Sequence, residues 1–186
     1  IPFVGTFGVG WWYIPFFIFV IVATAFSVNT VDGLDGLAAG ILLSSFSSLG
    51  AIAFLQGKYD IVAFCGVIVG AMLAFLWFNI TTARFFMGDT GAMSLGVTLG
   101  VVALLVHAEF YLPIISLLLV IESLSVIAQL VSKKLFGRKL LVSSPLHHHL
   151  EAIGWPESKI VMRFWVVSGV TSVIGLILAL MDHSIK

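Results

Sequence analysis

Charged side chains are scarce in this sequence, and those present cancel: nine Lys and Arg stand against nine Asp and Glu in 186 residues. Without a basic excess there is no electrostatic footprint for nucleic acid, and no such partner is expected. The single cysteine, Cys65, has no second thiol with which to close an internal disulfide. Lying in an apolar run, it reads as a small buried apolar residue. The chain begins Ile1-Pro2-Phe3, with no initiator methionine, no basic leader and no small-residue cleavage site. The first apolar stretch is therefore not read as a signal peptide, and the sequence reads as a fragment. Internal repeats and low-complexity segments are also missing.

What is abundant is apolar. Hydrophobic residues make up 60% of the chain, and the mean hydropathy of +1.17 exceeds what a soluble domain of this size needs. An apolar run of about 20 residues crosses a bilayer as a helix. The sequence offers six stretches near that length, at residues 12–28, 37–55, 61–78, 92–106, 112–131 and 161–181. The expected fold is all-α, a polytopic transmembrane bundle of about six spans forming one domain over residues 1–186. The breaks hold nearly all polar residues. Arg84, Lys133, Lys134, Arg138, Lys139, Lys159 and Arg163 fall on one side, against Lys58 and Lys186 on the other. Because cytoplasmic loops carry the positive excess, this asymmetry predicts that segments 29–36, 79–91 and 132–160 face the cytoplasm. Glycines four apart, at Gly36 and Gly40, Gly66 and Gly70, and Gly96 and Gly100, predict close helix packing. Trp11, Trp12 and Tyr13 suit the headgroup level at the outer end of the first span.

The three segments assigned to the cytoplasm are also the richest in chemically capable side chains, which a passive bundle has no reason to show. In the first, Asp32 and Asp35 are each followed by glycine, which permits close approach of a ligand to the backbone. If the segment is helical, the two carboxylates share a face. The alternative is that one of them caps the next helix. The second segment ends Phe86-Met87-Gly88-Asp89-Thr90-Gly91 before a helix. Free backbone N–H groups there suit a phosphate, and the Asp89 carboxylate could hold a magnesium ion bridging the same phosphates. A cap by Asp89 or Thr90 is the competing reading, and Phe86 could stack a base. The third segment holds His147, His148 and His149, imidazoles able to donate to phosphate or exchange protons near neutral pH. A structural zinc site is the weaker reading, since no cysteine accompanies them. Glu122, within the fifth span, is either functional or hydrogen-bonded near Ser123 and Ser125 inside the bundle. Gln129, nearer the cytoplasm, could reach a polar site.

Three stretches together, NTVDGLDGLA at residues 29–38, FFMGDTGAMSLG at residues 85–96, and PLHHHLEAIGWPE at residues 145–157 followed by RFW from Arg163, resemble the phospho-MurNAc-pentapeptide translocase family. The first two also resemble the wider superfamily of polyprenyl-phosphate phospho-sugar transferases; the histidine triplet with GWPE and RFW narrows the resemblance. It implies an enzyme that converts UDP-MurNAc-pentapeptide and undecaprenyl phosphate into lipid I and UMP. The reaction would use Mg2+ at the cytoplasmic face of the bacterial inner membrane, in peptidoglycan synthesis. By motif, Asp89 would be the metal ligand, Asp32 and Asp35 would shape the metal and diphosphate site, and Phe86 would stack on uracil. Asn29, Asn79 and His147, His148 and His149 would contact nucleotide and phosphates. Family members have ten spans and form homodimers, and their adjacent aspartate pair assigned to the lipid phosphate lies in an N-terminal part that this chain lacks. The fragment alone is accordingly expected to be inactive. The rival enzyme reading is a UDP-GlcNAc polyprenyl-phosphate transferase. A transporter subunit would instead place ionisable residues near mid-membrane, where only Glu122 sits.

Overall fold

The computed structural model describes residues 10–185, all of them helix, turn or loop, with no strand among them. Eight α-helices follow a 3-10 turn at Gly10–Trp12: α1 Tyr13–Val31, α2 Leu37–Leu55, α3 Tyr59–Asn79, α4 Gly88–Leu105, α5 Leu112–Ile115, α6 Leu117–Phe136, α7 Leu146–Ala152 and α8 Glu157–Ile185. Five of them, α1 with its preceding turn, α2, α3, α4 and α8, are long and apolar enough to cross a membrane. The fifth expected stretch, residues 112–131, is divided between α5 and α6, and α6 carries Glu122, Lys133 and Lys134. The chain is a multi-pass membrane protein.

Helix α2 is the hub. It packs on α3 and α8 and touches α4, while α1 pairs with α4 and α6. Within its apolar window 67% of α2 is buried, against 17% for α3, so α3 presents most of its surface outward. Lipid is as apolar as leucine, so such helices are held together by close packing and polar contacts rather than by hydrophobic expulsion. Hydroxyl pairs join them at Ser44 Oγ to Ser168 Oγ (2.6 Å), Ser116 Oγ to Ser45 Oγ (2.8 Å) and Ser123 Oγ to Ser27 Oγ (2.7 Å). Cys65 is 2% exposed, against Gly50, as expected of a buried thiol.

The glycine pairs divide. A Cβ on Gly96 would stand 2.6 Å from Ala25 Cα and 2.7 Å from the Thr24 carbonyl oxygen, and one on Gly100 would stand 2.6 Å from Thr24 Oγ1. These two seat α4 directly on the backbone of α1. Gly40 receives the Trp165 indole of α8. Gly66 and Gly70 meet nothing within 4 Å, so the packing expected of that pair is not found within the chain. Replacing Gly96 by alanine should therefore destabilise the bundle by about 1–3 kcal/mol, because the obstructing atoms are backbone and cannot swing aside. Gly66→Ala should be neutral or stabilise by up to about 1 kcal/mol. Thermal unfolding of the two variants in detergent checks the contrast.

Two expectations about extent are corrected. The 112–131 stretch breaks at Ser116, whose backbone leaves the helical region (φ −112°, ψ 43°). There Ile115 presses into the notch left by Gly175 of α8, and the Ser116 hydroxyl reaches Ser45 on α2. The 132–160 segment is not a plain loop: α6 runs on to Phe136, α7 lies within the segment, and α8 begins at Glu157. Lys186, counted in the charge asymmetry, lies outside the described residues. The remaining cations at Arg84, at 133–139, and at Lys159 and Arg163 all lie where α3, α6 and α8 meet one end of the bundle. At the opposite end Lys58 Nζ and Gln56 Nε2 tie the α2–α3 turn to the Leu105 and Val106 carbonyls that close α4.

Candidate active site

One end of the bundle gathers all three chemically rich segments. The chain from Asp32 to Gly36 is not helical. It is a turn linking α1 to α2, with Asp32 closing α1 and Gly36 opening α2 at φ 75°, a backbone angle that favours glycine. The shared helical face considered for the two aspartates is thus corrected, and the reason is this left-handed glycine. Nor does either aspartate cap α2, whose N-cap is Gly36 without a side-chain cap bond.

The turn is braced from three directions. Gly36 N–H donates to Asn79 Oδ1 (3.0 Å), and Asn79 Nδ2 donates to the Phe85 carbonyl (3.0 Å), so one buried amide at the end of α3 links the α1–α2 turn to the 80–87 segment. Asp35 Oδ2 accepts the Ala83 N–H (3.0 Å), while the Asp35 N–H donates to Glu157 Oε1 (2.7 Å) at the start of α8. Trp165 Nε1–H donates to the Gly36 carbonyl (3.1 Å). Glu157 and Trp165 were given no role by sequence reasoning. The signal that could have found them was their place in the GWPE and RFW stretches.

Asp32 faces a different neighbour. Burial first, and the negative charge of Asp89 second, push its carboxyl above the usual carboxylate range. Asp89 is exposed in the first turn of α4, and that helix start has no side-chain cap bond, so the capping reading of Asp89 and Thr90 is not realised. Two carboxylates from separate segments thus share one region. Asn29, one turn before Asp32, has a buried Oδ1 with no hydrogen-bond partner among the described residues. Phe86 is 73% exposed; Phe85, at 47%, packs its ring against Phe75 and Phe78. Among the described residues no group of three or more His, Cys, Asp or Glu side chains could by itself hold a metal.

The histidine triplet opens α7, and successive helical residues point in different directions. His147 is fully buried and reaches Glu122 (Nδ1 to Oε2, 3.1 Å). His148 pairs with Glu151 (2.6 Å) at the partly exposed surface, and His149 Nδ1 accepts the Val142 N–H (3.3 Å). Glu122 is hydrogen-bonded inside the bundle, as one of its two readings had it, but its partner is His147 and not a neighbouring serine. Ser123 Oγ turns to Ser27 and the Leu119 carbonyl, and Ser125 Oγ donates to the Glu122 backbone carbonyl rather than to its carboxylate. Gln129 acts as a clamp on the segment after α6: its Oε1 accepts the N–H groups of Leu140 and Leu141, and its Nε2 donates to the Leu141 carbonyl.

The model of glycosyl transferase family 4 matches residues 1–107. The chain is 45% identical over 174 residues to the phospho-N-acetylmuramoyl-pentapeptide-transferase of Rubrobacter xylanophilus, a match covering 94% of this chain and 52% of that protein. It is 43% identical over 182 residues to the protein of the same name from Pelagibacter ubique (90% and 50%) and 43% over 171 residues to that of Geobacillus thermodenitrificans (92% and 53%). The chain spans about half the length of the curated relatives it matches. With more than half of its residues matched by that family's model, and with its acidic, MGD and histidine segments gathered at one end of a helical bundle, the chain belongs to glycosyl transferase family 4.

Proposed function

We propose that this chain is the C-terminal catalytic part of a membrane enzyme that transfers phospho-MurNAc-pentapeptide from its UDP carrier to undecaprenyl phosphate, releasing UMP and forming lipid I. The observation that carries the reading is the convergence of the Asp32 turn, the Asp89 helix start and the His147 helix at the same end of the bundle. The names of the relatives, 43–45% identical, support phospho-N-acetylmuramoyl-pentapeptide as the group transferred. The cluster of Lys and Arg at this end supports a cytoplasmic position for the site at the inner membrane.

In this reading a phosphate oxygen of undecaprenyl phosphate attacks the sugar-linked phosphorus, forming one P–O bond as the bond to UMP breaks. Asp89 and the neighbouring Asp32 fit a magnesium site. Mg2+ commonly takes one or two carboxylates and completes its shell with water and substrate phosphates, so two aspartates without a third ligand suffice. Bound there, the ion supplies charge neutralisation of the diphosphate and eases departure of UMP. The chain's own groups do the rest. The unpaired N–H groups at the start of α4 meet phosphate oxygens. Asn29 Oδ1, lacking a partner, accepts a hydrogen bond from substrate. Phe86, exposed beside them, offers a stacking face to uracil. Asp35 and Asn79 hold the turn in shape from within, and His148 and His149 line the rim.

The test is UMP release by the full-length protein in the presence of Mg2+ and undecaprenyl phosphate. Release from UDP-MurNAc-pentapeptide is expected. Release only from UDP-GlcNAc would move the assignment to the GlcNAc-1-phosphate transferases, and no release from folded protein would remove it from this chemistry.

A further inference from the structure

We infer that Glu122 is a positioning residue for His147, fixing the imidazole with its proton on Nδ1 and its Nε2 lone pair against the turn that carries Asp32. Both side chains are 0% exposed. Glu122 Oε1 lies 3.1 Å and Oε2 3.4 Å from the His147 backbone nitrogen, and Oε2 lies 3.1 Å from Nδ1. One carboxylate on α6 therefore holds both the main chain and the ring of a residue on α7. A fully buried acid is costly unless it is paired, and here His147 supplies the pairing.

The tautomer follows from what is left over. Nε2 is buried and has no hydrogen-bond partner among the described residues. If Nε2 carried the proton, it would be a buried N–H without an acceptor, the rarest kind of orphan in folded proteins. With the proton on Nδ1, the N–H donates to Glu122 and only a lone pair is left unpaired. The place of that lone pair is set as well: a Cβ on Gly33 would stand 2.6 Å from Nε2. The absence of a side chain at Gly33 is what lets the ring rest on the backbone between Asp32 and Leu34. His147 is thus an oriented hydrogen-bond acceptor abutting the aspartate turn, and Glu122 acts on the site only through it.

This inference rests on the transferase reading for its effect on catalysis but not for the tautomer. Glu122→Gln keeps the size of the side chain and, through its amide oxygen, the bond from the backbone N–H. Its NH2 group, in place of Oε2, must donate to Nδ1, which moves the ring proton to Nε2. In full-length protein labelled with 15N-histidine in nanodiscs, and with His147→Gln to assign the signal, wild type is expected to show the Nδ1–H pattern. Glu122→Gln should show the Nε2–H pattern, with kcat down about 10²–10⁴-fold and KM for the nucleotide substrate within about threefold. Glu122→Asp should restore the Nδ1–H pattern and part of kcat. An Nε2–H pattern in wild type would overturn the inference without need of any variant, as would a Glu122→Gln enzyme with a switched tautomer and full kcat. If wild type is folded yet releases no UMP, the transferase reading fails, and the wild-type spectrum alone decides for or against the tautomer.

Discussion

Asp89→Ala is expected to lower magnesium-dependent UMP release by the full-length enzyme about 10³-fold or more, while leaving its thermal unfolding within a degree or two of wild type. The two halves of this expectation come from the same observation. Asp89 is exposed in the first turn of α4 and makes no capping bond there, so the fold does not depend on its carboxylate. Its charge is nevertheless felt by Asp32 on another segment. In the proposed site, such a pair would be held ready for a cation that arrives with substrate. Steady-state UMP release over a magnesium titration, alongside unfolding curves, measures both halves. A variant with activity within tenfold of wild type at every magnesium concentration would mean that the metal reading of Asp89 is wrong.

Asp32→Asn should act in opposite directions on stability and activity. The Asp32 carboxyl is raised, by burial and then by Asp89, so the folded state binds its proton more tightly than the unfolded chain does. Folding stability therefore falls as pH rises through the interval between the unfolded and folded values, and stays reduced above it. Asparagine removes that charge. A gain of about 1–4 °C in Tm is expected at pH 7, fading as acidification returns the proton to the wild-type carboxyl. Activity should fall about 10²-fold or more, since in the proposed metal site the group destabilising the fold is one that would face the cation. Unfolding scans from pH 4.5 to 8, paired with UMP release, distinguish this from a merely structural aspartate, for which Asp32→Asn would be the less stable protein at pH 7.

The membrane class, the positions of the long helices and the identity of the polar segments were readable from the chain alone, because each rests on local composition. An apolar run of the right length favours a helix in lipid, although the break at Ser116 within 112–131 was set by contacts to α8 and α2. Charge asymmetry sorts the turns by side, and the match of motifs to a known family depends on residues close in sequence. The notches that Gly96 and Gly100 leave for α1 were legible as small residues four apart, but their difference from Gly66 and Gly70 was not, since spacing cannot say which face of a helix meets a partner.

What only the tertiary structure decided concerns direction. Whether Asp32 and Asp35 lie on one face turned on the left-handed backbone at Gly36, which is in turn held by Asn79 from 43 residues away. Asp35 spends its carboxylate on the Ala83 N–H, while Asp32 feels Asp89. Three adjacent histidines became three separate pairings once α7 wound them around its axis, and Glu122 turned away from its serine neighbours to a partner 25 residues on. Composition and spacing determined what this protein is made of and where its polar groups cluster. The aim of each polar group was set by contacts between segments distant in sequence, because a hydrogen bond depends on position and angle in space and not on the number of residues between its partners.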